Sequence, residues 1–150
     1  MTKRDEAMAL FEQGYNCSQA VAGAFAEEAG VDFDTLVRLA GSFGGGMGRL
    51  REVCGAVSGM FMITGLLYGF DSPTDREAKK TLYEDVQSLA FAFKEKNGSY
   101  VCRELLGLEQ KTVDSPTPEP RTQAYYQKRP CKELVGDAAE ILERFIAEHS

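Results

Sequence analysis

Between Glu52 and Asp71 the chain runs for 18 residues without a charge, VCGAVSGMFMITGLLYGF. No other stretch limits the fold as strongly. A helix that is apolar all round has to be covered all round, by lipid or by the rest of a protein core. Eighteen residues touch the lower bound for a membrane span. Four glycines (Gly55, Gly59, Gly65, Gly69), with Ser58 and Thr64, dilute the hydrophobicity, and both flanks are ordinary polar sequence. The expectation is therefore a central helix over about 53–69, buried by other helices and not by a membrane. Gly55 and Gly59 lie four apart, with Ala56 close to the same face, and small residues at that spacing admit a second backbone. Tight helix packing in a soluble core follows.

The other segments also read as helices. Ala7, Met8, Leu10 and Phe11 recur among charges over residues 3–13, and Gly14 stops that pattern. Asn16 is suited to cap a helix that starts at Cys17, continues through Ala20, Val21, Ala24 and Phe25, and ends near Gly30. Asp32 and Asp34 precede a helix with Leu36, Val37, Leu39 and Ala40. After Asp71-Ser72-Pro73-Thr74, a stop and restart with proline near the next first turn, residues 74–96 carry an inner stripe of Ala78, Leu82, Val86, Leu89, Ala90 and Phe93, ended by Asn97-Gly98. Ser99 caps a short helix through Leu106. Pro116, Pro118 and Pro120 mark 109–130 as a surface loop, and Pro130-Cys131 opens a last helix with Leu134, Val135, Ala138, Ile141, Leu142 and Phe145 on one face. No alternating strand pattern stands out. The fold class is all-α: one domain over 1–150, a bundle of six or seven helices.

Chemistry concentrates around four cysteines and one loop. Cys17, Cys54, Cys102 and Cys131 are 37, 48 and 29 residues apart, so no CxxC pair exists and no haem-attachment CxxCH. The single histidine, His149, is next to the end of the sequence, which disfavours a Cys–His dyad or a Cys/His metal site. Each cysteine falls near an expected helix N-terminus. The free amides and partial positive charge there stabilise a thiolate, the form that attacks disulfides and binds metals. Ahead of Cys54 lies the loop Gly44-Gly45-Gly46-Met47-Gly48-Arg49, then Arg51. Its glycines let backbone approach a ligand and its arginines favour an anion. It lacks the GxxxxGK[ST] pattern of a phosphate loop and no strand precedes it.

Two further readings stand beside a thiol site. Free cysteine often behaves as a small buried hydrophobe, so the four could only fill a structural or partner-binding helical core. The loop Gly44–Arg51 could instead rim a pocket for a small anion. A net charge of −6 argues against nucleic acid as the main partner. The first residues are acidic within their apolar pattern, unlike a secretory signal. The expectation is a cytoplasmic protein, where structural disulfides are rare.

The elements Asn16-Cys17-Ser18-Gln19-Ala20-Val21, Phe43-Gly44-Gly45-Gly46-Met47-Gly48 and Cys54-Gly55-Ala56-Val57-Ser58-Gly59, followed by lone Cys102 and Cys131, resemble the C_GCAxxG_C_C family. Its members are called redox proteins for their cysteines, and it is similar to part of the split-Soret cytochromes c. The likeness runs from about Glu6 to Val135 and takes in all four cysteines. The family's lettering has GCA where this chain has Cys54-Gly55-Ala56, so the block matches and its letter order does not. The resemblance implies a redox role and raises iron–sulfur binding; haem does not carry over.

The favoured expectation is a redox site of Cys17, Cys54, Cys102 and Cys131. It would act either as a dithiol–disulfide couple or as a thiolate-held metal or iron–sulfur centre. Cys54 is the expected attacking thiol, held as thiolate by Arg49 or Arg51, with Cys17 its resolver and Phe43 and Met47 at the border. An electron-transfer or thiol partner follows from that chemistry, and the apolar helix leaves room for a homodimer.

Overall fold

The computed structural model describes residues 1–108 and 114–149, and only the backbone of 126–128. It is helical throughout: α1 (Lys3–Glu12), α2 (Cys17–Ala24), α3 (Ala26–Ala29), α4 (Phe33–Ala40), a 3-10 turn (Gly41–Phe43), the single turn α5 (Gly44–Met47), α6 (Gly55–Tyr68), α7 (Arg76–Asn97), α8 (Cys102–Leu105), α9 (Gln123–Lys128) and α10 (Cys131–Glu148). Among the described residues the only extended pairing is one antiparallel bridge, Val53 with Val101. The all-α class holds. The expected six or seven helices are exceeded because α3, α5 and α8 are single turns. No helix among the described residues is long and apolar enough to cross a membrane.

Two helices share the centre. α2 packs on α1, α4, α6 and α10, and its residues Ser18 and Ala20 to Ala24 are all buried. Its sequence explains this: CSQAVAGA has almost no bulk, so neighbours can close in from several sides. α6 is the expected apolar helix. A Cβ at Gly59 would stand 2.8 Å from the Ser18 carbonyl oxygen, and one at Gly55 3.2 Å from Cys17 Cβ. The pair of small residues thus does let a second backbone approach, and that backbone is α2.

Several boundaries moved. α2 ends at Ala24, not near Gly30, because Phe25 leaves helical geometry (φ −109°, ψ 15°) to bury its ring in the core. α6 is not buried along its whole length: Gly55 to Met60, Ile63 and Thr64 are, whereas Leu66 is 46% exposed. Its last turns pair with the first turns of α7 at the edge of the bundle. Accordingly Leu89, Ala90 and Phe93 of the α7 stripe are buried, while Ala78, Leu82 and Val86 are only half-buried. Pro73 lies in the turn ahead of α7, and the Asp75 side chain caps the helix by accepting from the Ala78 amide at 3.0 Å. In the expected loop over 109–130, residues 109–113 lie outside the described residues, and α9 occupies its end.

Two glycines of α6 should respond oppositely to alanine. Gly59→Ala drives a methyl into the α2 backbone and is expected to cost about 1–3 kcal/mol. At Gly65 a Cβ meets nothing within 4 Å, so Gly65→Ala should gain about 0.5–1 kcal/mol from helix propensity. Urea denaturation of both variants checks this; equal effects would refute the packing account.

Candidate functional site

All four cysteines begin helices. Cys17, Cys102 and Cys131 are the first residues of α2, α8 and α10, and Cys54 is the N-cap of α6. The Cys17 end is built most firmly. Asn16 Oδ1 accepts from the Gln19 amide and Gln19 Oε1 accepts from the Asn16 amide, both at 3.0 Å, a reciprocal capping box. The same two side chains donate to the carbonyls of Gly41 and Val37, each at 2.9 Å, which ties this helix start to α4. Ser99 is not the cap expected for the α8 helix. Its hydroxyl accepts from the Val101 amide at 3.0 Å and donates to Glu104 at 2.6 Å, and the helix starts at Cys102.

Cys54 and Cys102 are brought together by backbone. The Cys54 amide donates to the Tyr100 carbonyl at 2.9 Å, and the Cys102 amide to the Glu52 carbonyl at 2.6 Å. These bonds flank the Val53–Val101 bridge. The glycine loop then folds onto this pair. Residues 45 to 49 and Arg51 all have φ between 62° and 71°, a left-handed run that is cheap for glycine and strained for Met47, Arg49 and Arg51. The run is held by Gly48 N–H to Gly44 O at 2.9 Å and Glu52 N–H to Gly46 O at 3.0 Å. Gly46 must be glycine: a Cβ there would stand 2.7 Å from Cys102 Cβ and 2.8 Å from the Arg51 Cα.

These elements enclose a cavity of about 380 Å³. Of the residues singled out from sequence, Cys17, Cys54, Cys102, Cys131, Gly44, Gly45, Gly48, Arg49 and Arg51 line it. Phe43, Gly46 and Met47 do not; Gly46 is buried against Cys102 and the Arg51 backbone. Sequence reasoning missed the opposite wall, made by Pro116, Pro118, Glu119, Arg121, Tyr125 and Arg129. The prolines identified that segment as a loop, but nothing in its spacing showed that it folds back over the cysteines. Arginines fix it there. Arg49 Nε donates to the Ser115 carbonyl at 2.6 Å, Arg51 pairs with Asp114 at 2.7 Å, and Arg129 with Glu119 at 2.5 Å. Arg121 donates to the carbonyls of Phe11 and Tyr15 at 2.7 and 2.9 Å and lies 3.9 Å over the Phe11 ring.

The sulfurs differ sharply in acidity. Coupling to the neighbouring Cys131 thiol pulls Cys17 below its ordinary range, against the opposing effect of burial. The amides of Gly45 and Cys17 and the charge of Arg121 act in the same direction as Cys131. Cys131 is pushed up, first by that coupling and then by burial. Cys54 is pushed up by burial and by the negative charge of Cys17. Cys102 is also raised by burial, although Arg51 Nη1 sits 3.7 Å from its sulfur and opposes the shift. Burial, and next the charge of Cys131, raises Tyr125 to about 12, and its hydroxyl hydrogen-bonds Cys131. The contacts of Arg49 and Arg51 are not those expected of residues that hold Cys54 as a thiolate. Arg51 faces Cys102 and Asp114, Arg49 faces the Pro-rich strap, and the acidic thiol is Cys17.

No disulfide links the cysteines. Among the described residues, no three His, Cys, Asp or Glu side chains are placed to hold one metal ion. All four cysteines line the same cavity.

Compared with known proteins, residues 15–145 match the model of a family described as "Putative redox-active protein (C_GCAxxG_C_C)". No curated protein and no solved structure matches the chain.

A thiolate at Cys17 predicts a particular pH profile. The ionised fraction rises with pH through the folded-state pKa, so iodoacetamide should label Cys17 with a midpoint below that of a free thiol. The other three thiols should stay slow past pH 8. Cys131→Ala removes the thiol coupled to Cys17 and should move the midpoint upward. Peptide mapping of the labelled protein checks both; a Cys17 midpoint at the free-thiol value of about 8.5 would refute the account.

Proposed function

The chain belongs to the C_GCAxxG_C_C family, and from that premise we propose that Cys17 and Cys131 work as a dithiol–disulfide couple. The observation that carries this reading is that Cys17 and Cys131 begin two packed helices, α2 and α10, and line the same cavity. It brings two thiols of unlike acidity to one space, which thiol–disulfide exchange requires.

The chemistry follows from the acidities. Cys17, ionised at neutral pH, attacks one sulfur of an oxidised substrate and forms a mixed disulfide. The other sulfur leaves as a thiolate. The charge that had held Cys131 protonated is then gone, so Cys131 can give its proton to the departing thiolate. Its sulfur attacks Cys17, closes the Cys17–Cys131 disulfide and releases the second product thiol. Tyr125, protonated throughout the physiological range, keeps a hydrogen bond on Cys131 and orients it. A separate thiol partner returns the pair to the reduced form.

In this reading Cys54 and Cys102 are not the reacting pair. Both are buried, at 4% and 7% exposure, and both have raised pKa values. They fill the base of the cavity, and Arg51 links Cys102 to the strap through Asp114. A couple that rests reduced suits the cytoplasm, where thiol pools are reducing.

One equivalent of diamide should yield a single intramolecular disulfide, between Cys17 and Cys131, by peptide mapping. Cys131→Ser should instead trap Cys17 in a mixed disulfide with any small thiol present. A link between Cys54 and Cys102, or no link at all, would overturn the proposal.

A further inference from the structure

The cavity also limits what can oxidise this pair. Building on the dithiol reading, we propose that the substrate is a small disulfide carrying carboxylates, taken whole into the cavity, and not a disulfide on a protein surface.

Access is the first argument. Cys17 and Cys131 line a space whose far wall is the strap containing Pro116, Pro118 and Glu119. That strap is held by the contacts of Arg49, Arg51 and Arg129 with Ser115, Asp114 and Glu119. A disulfide held on a protein surface would have to approach past that strap. A small molecule has only to fit between the helix starts and the strap.

Size is the second. About 380 Å³ is at the lower end of ligand pockets, which run from about 300 to 1,000 Å³. It suits two linked cysteine-sized halves. A tripeptide disulfide would extend beyond it, and a peroxide would leave most of the volume unused.

Charge and polarity are the third. Four arginines line the cavity against one lining carboxylate, Glu119. Asp114 and Glu119 pair with Arg49, Arg51 and Arg129. Among the described residues Arg121 is held by carbonyl oxygens and aromatic rings, and no carboxylate pairs with it. Its charge is therefore not neutralised by a carboxylate, and it lines the same cavity as Cys17. Phe11, Leu105, Leu106 and Leu134 supply apolar lining for the methylenes and sulfurs of such a molecule. The balanced step is RSSR + Cys17–S⁻ + Cys131–SH giving Cys17–S–S–Cys131 + RSH + RS⁻, with two electrons passing from the protein to the small disulfide.

The test is single-turnover oxidation of the reduced full chain, with the Cys17–Cys131 disulfide quantified by mass spectrometry. Four probes are compared: L-cystine, cystamine (the same skeleton with no carboxylate), glutathione disulfide, and the disulfide of insulin. Cystine should react about tenfold or more faster than cystamine, the range expected of electrostatic guidance into a cleft. Glutathione disulfide and insulin should be slower still. In Arg121→Met the preference of cystine over cystamine should collapse, and Arg121→Lys should restore part of it. Cystamine or insulin reacting as fast as cystine in the unaltered protein overturns the substrate inference without any variant having to fold. Diamide is the control that separates the two claims. If diamide closes the disulfide and cystine shows no preference, the substrate class is wrong; if diamide fails too, the couple itself is wrong.

Discussion

Gly59 has no side chain, and the carbonyl of Ser18 occupies the space one would need. That close approach of α2 and α6 underlies the rest of the arrangement. It sets the N-terminus of α6 beside the N-terminus of α2, so that Cys54 and Cys17 begin adjacent helices with Gly55 against Cys17 Cβ. α10 packs against both helices and brings Cys131 to the same end. Three partial positive charges then meet around one cavity. The helices are ordinary; their common starting point is what concentrates the thiols.

That convergence is costly in backbone strain and in desolvation, and the glycine loop absorbs much of it. A chain leaving α4 has to turn back under the α6 start while passing within contact distance of Cys102 Cβ. Left-handed residues make the turn short enough. Strain persists only where surrounding contacts over-determine it. Here the contacts are the loop's own backbone bonds, the Val53–Val101 bridge and the buried Arg51 ion pair.

The site gives four similar thiols unlike local environments. Cys17 has the Cys131 thiol and an arginine nearby, whereas Cys54 has neither advantage and feels both burial and the Cys17 charge. Cys17 and Cys131 are coupled, so they titrate as a pair. The strap contributes in a similar way: it brings Arg121 near the acidic sulfur while its other ion pairs hold it closed.

By itself the sequence determined the class and the local chemistry. An uncharged apolar run, capping residues such as Asn16 and Asp32, and glycines at helix ends are local signals, because caps and periodicity act within a few residues. For the same reason it placed all four cysteines at helix starts, and its small-residue spacing foretold the tight packing of α6. Which sulfur would be acidic was decided only by tertiary structure. Arg51 stands three residues before Cys54 in the chain but faces Cys102, since a left-handed backbone at Arg51 redirects the side chain. Cys17 owes its acidity to Cys131, more than a hundred residues away, and to Arg121 from a strap that read only as a loop. Acidity depends on distances through space and on burial, and neither is encoded in separation along the chain.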